Sequence, residues 1–197
     1  MSSDLNLDDP VAVALTIFRA FRASRIDAAL YGGLALAAYG EPRETRDADF
    51  AVVGVAGADG IEALAHASFT PVLTFDRVKF GGNLVSRIAL LEGGGSAGLN
   101  VADLVEPRSA RFAREALRRA ITGSLRGTAI RVLSPEDFIL FKILSTRDRD
   151  LEDAATIFRA MGPQLDRSLI AAEADMLAVE IPDHDVAARL ARVRAAA

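Results

Sequence analysis

Residues 31–50 read Tyr31-Gly32-Gly33-Leu34-Ala35-Leu36-Ala37-Ala38-Tyr39-Gly40-Glu41-Pro42-Arg43-Glu44-Thr45-Arg46-Asp47-Ala48-Asp49-Phe50. A Gly-Gly pair is followed, after thirteen residues, by two aspartates one residue apart. Side chains at i and i+2 of a strand share a face, so Asp47 and Asp49 can share one divalent cation. Glycines at a strand end let a phosphate approach the backbone closely. Together these features suggest chemistry on a nucleoside triphosphate.

The chain has 197 residues, 51% of them hydrophobic and 25% charged, with a formal net charge of −4. That size suits one ordinary domain, or a core with a helical extension. The acidic balance argues against a large nucleic-acid footprint, though not against a local basic patch. Cysteine is absent, which excludes disulfides and thiolate-bound zinc or iron–sulfur sites. The acidic N-terminus lacks a signal-peptide pattern and no apolar run is long enough to span a membrane, so a cytoplasmic location is expected. Only two lysines occur, Lys79 and Lys142.

Outward from the opening stretch, apolar spacing predicts a helix over 10–23 and a strand over 26–31. A short helix over 34–39 stops at Gly40, a polar loop follows, and a second strand over 48–53 carries the aspartates at its start. A loop over 57–60 precedes a helix over 61–67. Gly81-Gly82-Asn83 marks a hairpin, Gly93–Ser96 a turn, and 99–105 a strand. A helix over 109–120 places its arginines on a solvated face, and 121–132 reads as a hairpin. From Ser134 the pattern is helical: Ser134 caps, Pro135 occupies the first turn, and Asp137 stands three residues after the cap. Further helices are expected over 148–161, 164–178 and 184–195. The expected class is α+β: a mixed β-sheet flanked by helices over residues 1–132, then a helical region over 133–197.

Nucleotidyl transfer needs the polyphosphate held, its charge neutralised and a nucleophile aligned. Gly32 and Gly33 would offer backbone N–H groups to phosphate. Asp47 and Asp49 would hold Mg²⁺ (or Mn²⁺). Asp103 interrupts an apolar strand, where a lone carboxylate is costly unless paired or metal-bound. It is the expected third carboxylate, as metal ligand or general base.

These motifs, with Arg43-x-Thr45, Ser134-Pro-Glu-Asp, Lys142 and Arg149-Asp-Leu-Glu-Asp153, resemble the nucleotidyltransferase superfamily with the polymerase-β-like core. The similarity is greatest to the AbiEii/MenT-type bacterial enzymes, several of which are toxins of toxin–antitoxin pairs. The resemblance covers about residues 25–160. It implies that Gly32 and Gly33 contact the triphosphate of an NTP, and that Asp47, Asp49 and Asp103 bind Mg²⁺. It implies that Lys142 neutralises triphosphate oxygens, with Asp150 or Asp153 orienting it or helping to activate the acceptor. Arg43, Thr45 and Arg46 would stand at the mouth of the site. Many superfamily members have Gly-Ser where this chain has Gly-Gly.

The acceptor hydroxyl is left open among tRNA, a protein and a small molecule such as an antibiotic, and an antitoxin is a further expected partner. A haloacid-dehalogenase site would want Thr or Val where Ala51 stands, and the Gly-x-Gly-x-x-Gly of a dinucleotide binder is absent around Gly32. An Asp-x-Asp glycosyltransferase would usually need a longer chain. A catalytically degenerate, nucleotide-binding regulatory protein is the remaining alternative. Convergence of the three carboxylates separates it from the enzyme. His66 and His184 are assigned no role.

Overall fold

Two capped helices frame the chain. In α1 (Pro10–Ala23), Asp9 accepts from the N–H groups of Val11 and Ala12, and Pro10 fills the first turn. In α5 (Pro135–Leu144), Ser134 Oγ accepts from Asp137 N at 3.1 Å. Every residue from Asp137 to Leu144 is buried, so α5 has no polar face, and its caps rather than amphipathicity made it legible.

The computed structural model describes residues 6–67, 69–91 and 99–197. The expected turn at Gly93–Ser96 lies outside the described residues. Between the framing helices run β1 (Ala28–Tyr31), α2 (Gly32–Ala38), β2 (Ala48–Val52), α3 (Gly57–Leu64), β3 (Thr70–Phe80), β4 (Asn83–Leu91), β5 (Leu99–Pro107), α4 (Ala110–Arg119), β6 (Ile121–Leu125) and β7 (Thr128–Val132). After α5 come α6 (Asp148–Met161), a short 3-10 turn, α7 (Arg167–Glu180) and α8 (Val186–Ala196). The class is α+β, with a mixed seven-stranded sheet in the order β3-β4-β5-β2-β1-β7-β6. The β2/β5 and β1/β7 pairs are parallel and the others antiparallel.

Strand alternation sorts the side chains. Leu30, Phe50, Ala102 and Leu104 are buried, and Phe50 meets Phe21 of α1 edge-on at 5.6 Å. On the other face, Tyr31 packs against Phe138 and Phe141 of α5, and Phe141 against Phe112 of α4. Tyr31 stands opposite Asp49 in the β1/β2 register, so this face carries the opening motif.

Two expectations fail for identifiable reasons. Residues 57–60 are the start of α3 rather than a loop: Asp59 accepts from Ala56 N at 2.8 Å, satisfying an orphan donor, and a Cβ on Gly57 would lie 2.4 Å from Leu73. The glycine is there for close packing, not to break a helix. The arginines of α4 are only partly solvated. Arg119 forks onto Asp137 at 2.7 and 3.0 Å and reaches Glu173 of α7 at 3.1 Å. Arg111 bonds Glu173 at 2.8 Å and Glu180 at 2.7 Å. This ionic ladder ties α4 to α5 and α7.

Removing one member of a buried pair leaves an uncompensated charge. Asp137 is 0% exposed, so Arg119→Met should destabilise the fold by about 3–5 kcal/mol in urea unfolding. The exposed neighbour change Arg118→Met should alter stability by no more than about 0.5 kcal/mol.

Candidate active site

Gly32 has φ +68°, the left-handed region, and a Cβ there would lie 1.8 Å from Asp49 Oδ2. The missing side chain leaves the space that the Asp49 carboxylate occupies. Gly33 plays a similar part for the following loop, since its Cβ would sit 2.7 Å from the Thr45 side chain. Asn100 Nδ2 donates to Arg46 O at 2.9 Å and to Leu7 O at 2.7 Å, fastening that loop to β5.

Across the parallel β2/β5 pair, Asp49 stands directly opposite Asp103. Asp47 lies one residue before β2 and is exposed. Burial raises the Asp49 pKa to about 7, the neighbouring Asp103 and Asp47 charges add to the rise, and Lys142 and Arg147 oppose it.

Beneath the acids lies a buried cation. Lys142 is 2% exposed, and its Nζ donates to Asp150 Oδ1 at 2.6 Å and Asp153 Oδ2 at 2.9 Å. The ammonium also sits 5.0 Å from the Tyr31 ring centroid and 5.4 Å from that of Phe138. Burial works against the Asp150 charge, but Lys142, Ser145 and Arg147 outweigh it and hold the carboxyl below the usual range. Arg43 Nη2 bonds Asp153 at 3.2 Å, linking the loop to the same cluster.

Arg87 of β4 was not singled out by the motif. It grips Asp103 with both arms, Nε to Oδ1 at 2.8 Å and Nη2 to Oδ2 at 2.7 Å. Its guanidinium carbon lies 5.5 Å from the Phe75 ring centroid. Arg87 is the one charge in the run Leu84–Leu91, the same kind of signal that identified Asp103. Arg147 was also missed, and a charged residue ahead of an acidic helix start offers no signal of its own.

Two cavities meet at the acids. One of about 540 Å³ is lined by Gly33, Thr45, Arg43, Arg46, Lys142 and Arg149, with Asp47, Asp49, Asp103, Arg147 and Asp150 also at its wall. A second, of about 280 Å³, shares Asp49, Asp103 and Arg147 and is walled by Phe75, Phe80 and Asn83. A separate groove of about 560 Å³ near Ala28 lies at the opposite end of β1 and shares none of these residues.

The structure therefore brings Gly33, Arg43, Thr45, Arg46, Asp47, Asp49, Asp103, Lys142 and Asp150 to one cavity, with Asp153 behind Lys142. Gly32 lies beneath Asp49. Among the described residues, no three acidic or histidine side chains are already gathered as a metal cluster. Asp103 is turned to Arg87. The donor chemistry nevertheless fits a hard divalent cation: Asp49 and Asp103 face each other with like charge, Asp47 is near, and Asp49 resists ionisation until a cation compensates it. His184 binds Ile143 O at 2.8 Å and lies outside both cavities.

The raised Asp49 pKa has a definite sign. Between about pH 4 and 7, the native state keeps a proton that the unfolded chain has released. The group's contribution to metal-free stability therefore declines as pH rises through that window and levels off above it. Melting temperature followed against pH should show this decline, and Asp49→Asn should flatten it.

Arg87 and a metal ion compete for the same carboxylate. Arg87→Met should tighten Mn²⁺ binding without nucleotide roughly tenfold, about 1.4 kcal/mol, by calorimetry or electron paramagnetic resonance. Weaker binding would instead mean that Arg87 holds Asp103 in place for the metal.

The model of the family described as nucleotidyl transferase AbiEii toxin, Type IV TA system, matches residues 15–195. No curated protein matches the sequence. The solution structure of the antibiotic-resistance factor ANT(2'')-Ia superposes with a TM-score of 0.55 at 14% identity, covering 86% of this chain and 93% of that one. The crystal structure of ANT(2'')-Ia in complex with adenylyl-2''-tobramycin gives 0.50 at 15% identity, covering 82% and 95%. An antigenic nucleotidyltransferase-like protein from Paracoccidioides brasiliensis gives 0.48 at 18% identity, covering 98% and 94%. At these identities the solved structures speak to the fold alone, while the family match spans nearly the whole chain. The chain belongs to the AbiEii family and is a nucleotidyltransferase.

Proposed function

We propose that the protein transfers a nucleoside monophosphate from an NTP to an acceptor hydroxyl in a Mg²⁺- or Mn²⁺-dependent reaction. The observation that carries this reading is the pairing of Asp49 with Asp103 across β2 and β5, beside a cavity rich in arginine. Asp47, Asp49 and Asp103 would hold the metal. When bound, Mg²⁺ would neutralise charge on the triphosphate and lower the barrier to attack at the α-phosphorus.

The chain's own residues account for the rest. Arg43, Arg46, Arg147 and Arg149 line the polar cavity and match a polyanion. Gly33 brings backbone to its wall, and Gly32 makes room for Asp49 behind it. Thr45 packs over Gly33. Lys142, already held by Asp150 and Asp153, is a fixed positive charge at the cavity floor rather than a mobile clamp. The acceptor oxygen forms a bond to the α-phosphorus as the bond to the β-phosphate oxygen breaks. Pyrophosphate leaves, and Asp103 takes the hydroxyl proton once Arg87 has released it.

The family match supports a toxin role with an antitoxin partner; the acceptor in this reading is tRNA or a protein, and the place of action the cytoplasm. A small-molecule, antibiotic-type acceptor, of the kind named for the ANT(2'')-Ia complex with adenylyl-2''-tobramycin, is the second reading. Among the described residues, no helix is long and apolar enough to cross a membrane. The grip of Arg87 on Asp103 is the observation that would favour a degenerate, nucleotide-binding regulator.

Incubation with each α-labelled NTP, Mg²⁺ and cell extract tests the proposal. Label should pass to an acceptor with release of pyrophosphate, should vanish with chelator, and should fall to background in Asp47→Ala and Asp49→Ala. Transfer that is unchanged in both variants would overturn it.

A further inference from the structure

In-line displacement puts the attacking oxygen and the leaving pyrophosphate on opposite sides of the α-phosphorus. With the phosphates among Gly33, Arg43, Arg46 and Arg149, the attacking side of Asp49 and Asp103 is the smaller cleft, toward β4 and β3. A hydroxyl of the chain itself that stands in this cleft is therefore placed as a nucleophile. Among the described residues, Tyr31, Ser145 and Thr146 bring hydroxyl side chains to its wall.

Two of these hydroxyls are committed elsewhere. Tyr31 is buried, its ring packs against Phe138 and Phe141, and burial holds its pKa well above the ordinary phenol value. Ser145 is also buried; its Oγ donates to Asp150 and accepts from Arg147 N at 3.2 Å. Thr146 differs. It is exposed, and its hydroxyl makes no hydrogen bond among the described residues. The backbone on either side of it is nevertheless fixed. Leu144 O accepts from Gly82 N of the hairpin at 2.8 Å, and Ser145 N donates to Lys142 O at 3.2 Å. Arg147 Nε bonds Asp150 Oδ2 at 2.7 Å, and Arg147 O accepts from Arg189 Nη2 of α8 at 3.3 Å. A free hydroxyl on a fixed frame, in the same cleft as the carboxylates, meets the proximity requirement of an intramolecular reaction.

We infer that Thr146 is a self-modification site: the chain transfers a nucleoside monophosphate to Thr146 Oγ1 and so closes its own attacking side. The inference rests on the donor reading above. Thr146 Oγ1 forms a bond to the α-phosphorus of the NTP as the bond to the β-phosphate oxygen breaks. Pyrophosphate leaves with the bonding electrons, and the hydroxyl proton passes to Asp103 once Arg87 has released it. The product is a threonyl phosphodiester with a single negative charge. Its surroundings suit it. Arg147, with its side chain 68% exposed, and Arg87 both line the cleft as cations for that phosphate. Phe75 and Phe80, 6.0 Å apart between centroids, offer flat faces to the attached base. In a cleft of about 280 Å³ an attached nucleotide leaves no room for another acceptor, so the modified enzyme is switched off.

Incubation of the purified full chain, without extract, with each α-labelled NTP and Mn²⁺ tests this, read by denaturing gel and intact mass. The chain should acquire a nucleotide, and tandem mass spectrometry should place it on Thr146. The first-order rate should be unchanged when the protein is diluted about tenfold, as an intramolecular step requires. Thr146→Val should lower labelling by about tenfold or more, whereas Thr146→Ser should keep it. Wild type first incubated with NTP should pass label to extract acceptors several-fold more slowly than untreated enzyme, and Thr146→Val should show no such slowing. Label on another residue, labelling unchanged in Thr146→Val, or a rate that rises in proportion to protein concentration would overturn the inference. So would a chain that stays unlabelled while passing label to extract acceptors, a result that leaves the donor reading standing. Failure of both transfers, with no quenching of a fluorescent NTP, would overturn the donor reading together with this one.

Discussion

The site depends on two carboxylates of like charge placed opposite each other on adjacent parallel strands. Asp49 and Asp103 are held there by the β2/β5 register, and a one-residue slip of either strand would turn its carboxylate away from the other. Gly32 completes the constraint, because any side chain at its position would overlap Asp49 Oδ2. Burial, reinforced by repulsion from Asp103, drives the Asp49 pKa to about 7. Such a pair persists because cations stand by it: Arg87 is bonded to Asp103, and the charges of Lys142 and Arg147 favour ionised Asp49. In the proposed reaction a divalent metal would replace part of that shell.

Lys142 shows how burial and function divide the work. A buried lysine with two carboxylate partners, packed over Tyr31 and Phe138, is too well satisfied to follow a moving phosphate. Its charge is nevertheless fixed close to Asp49, whose ionisation it favours. Arg46 and Arg149, exposed at the same cavity, make no side-chain hydrogen bond among the described residues and have donors to offer an anion. Thus α5 and α6 set the potential of the site, and the loop over residues 41–47 presents the groups that would touch a ligand.

Much of this was legible in the chain. The Gly-Gly spacing, Asp49 and the lone Asp103 marked residues that the sheet places together, with Asp47 just ahead of β2, and Ser134 with Pro135 marked a helix that burial alone would have hidden. What escaped depended on register or on distant partners. Arg87 carries the same signal as Asp103, yet only strand pairing reveals that they meet. Gly57 reads as a breaker but begins a helix, because Leu73 occupies the space of its missing side chain. Arg111 and Arg119 read as solvated because Glu173 and Glu180 stand more than fifty residues away. The aromatic cleft was invisible for the same reason: Phe75, Asn83 and Arg147 belong to three separate segments.

The most direct test is anomalous diffraction at the manganese edge, from crystals grown with Mn²⁺ and a non-hydrolysable NTP. The expected result is a manganese peak coordinated by Asp47, Asp49 and Asp103, with Arg87 displaced and the phosphates running toward Gly33 and Arg43. Manganese bound elsewhere, with the Arg87–Asp103 pair intact and the arginine-lined cavity empty of phosphate, would contradict the account.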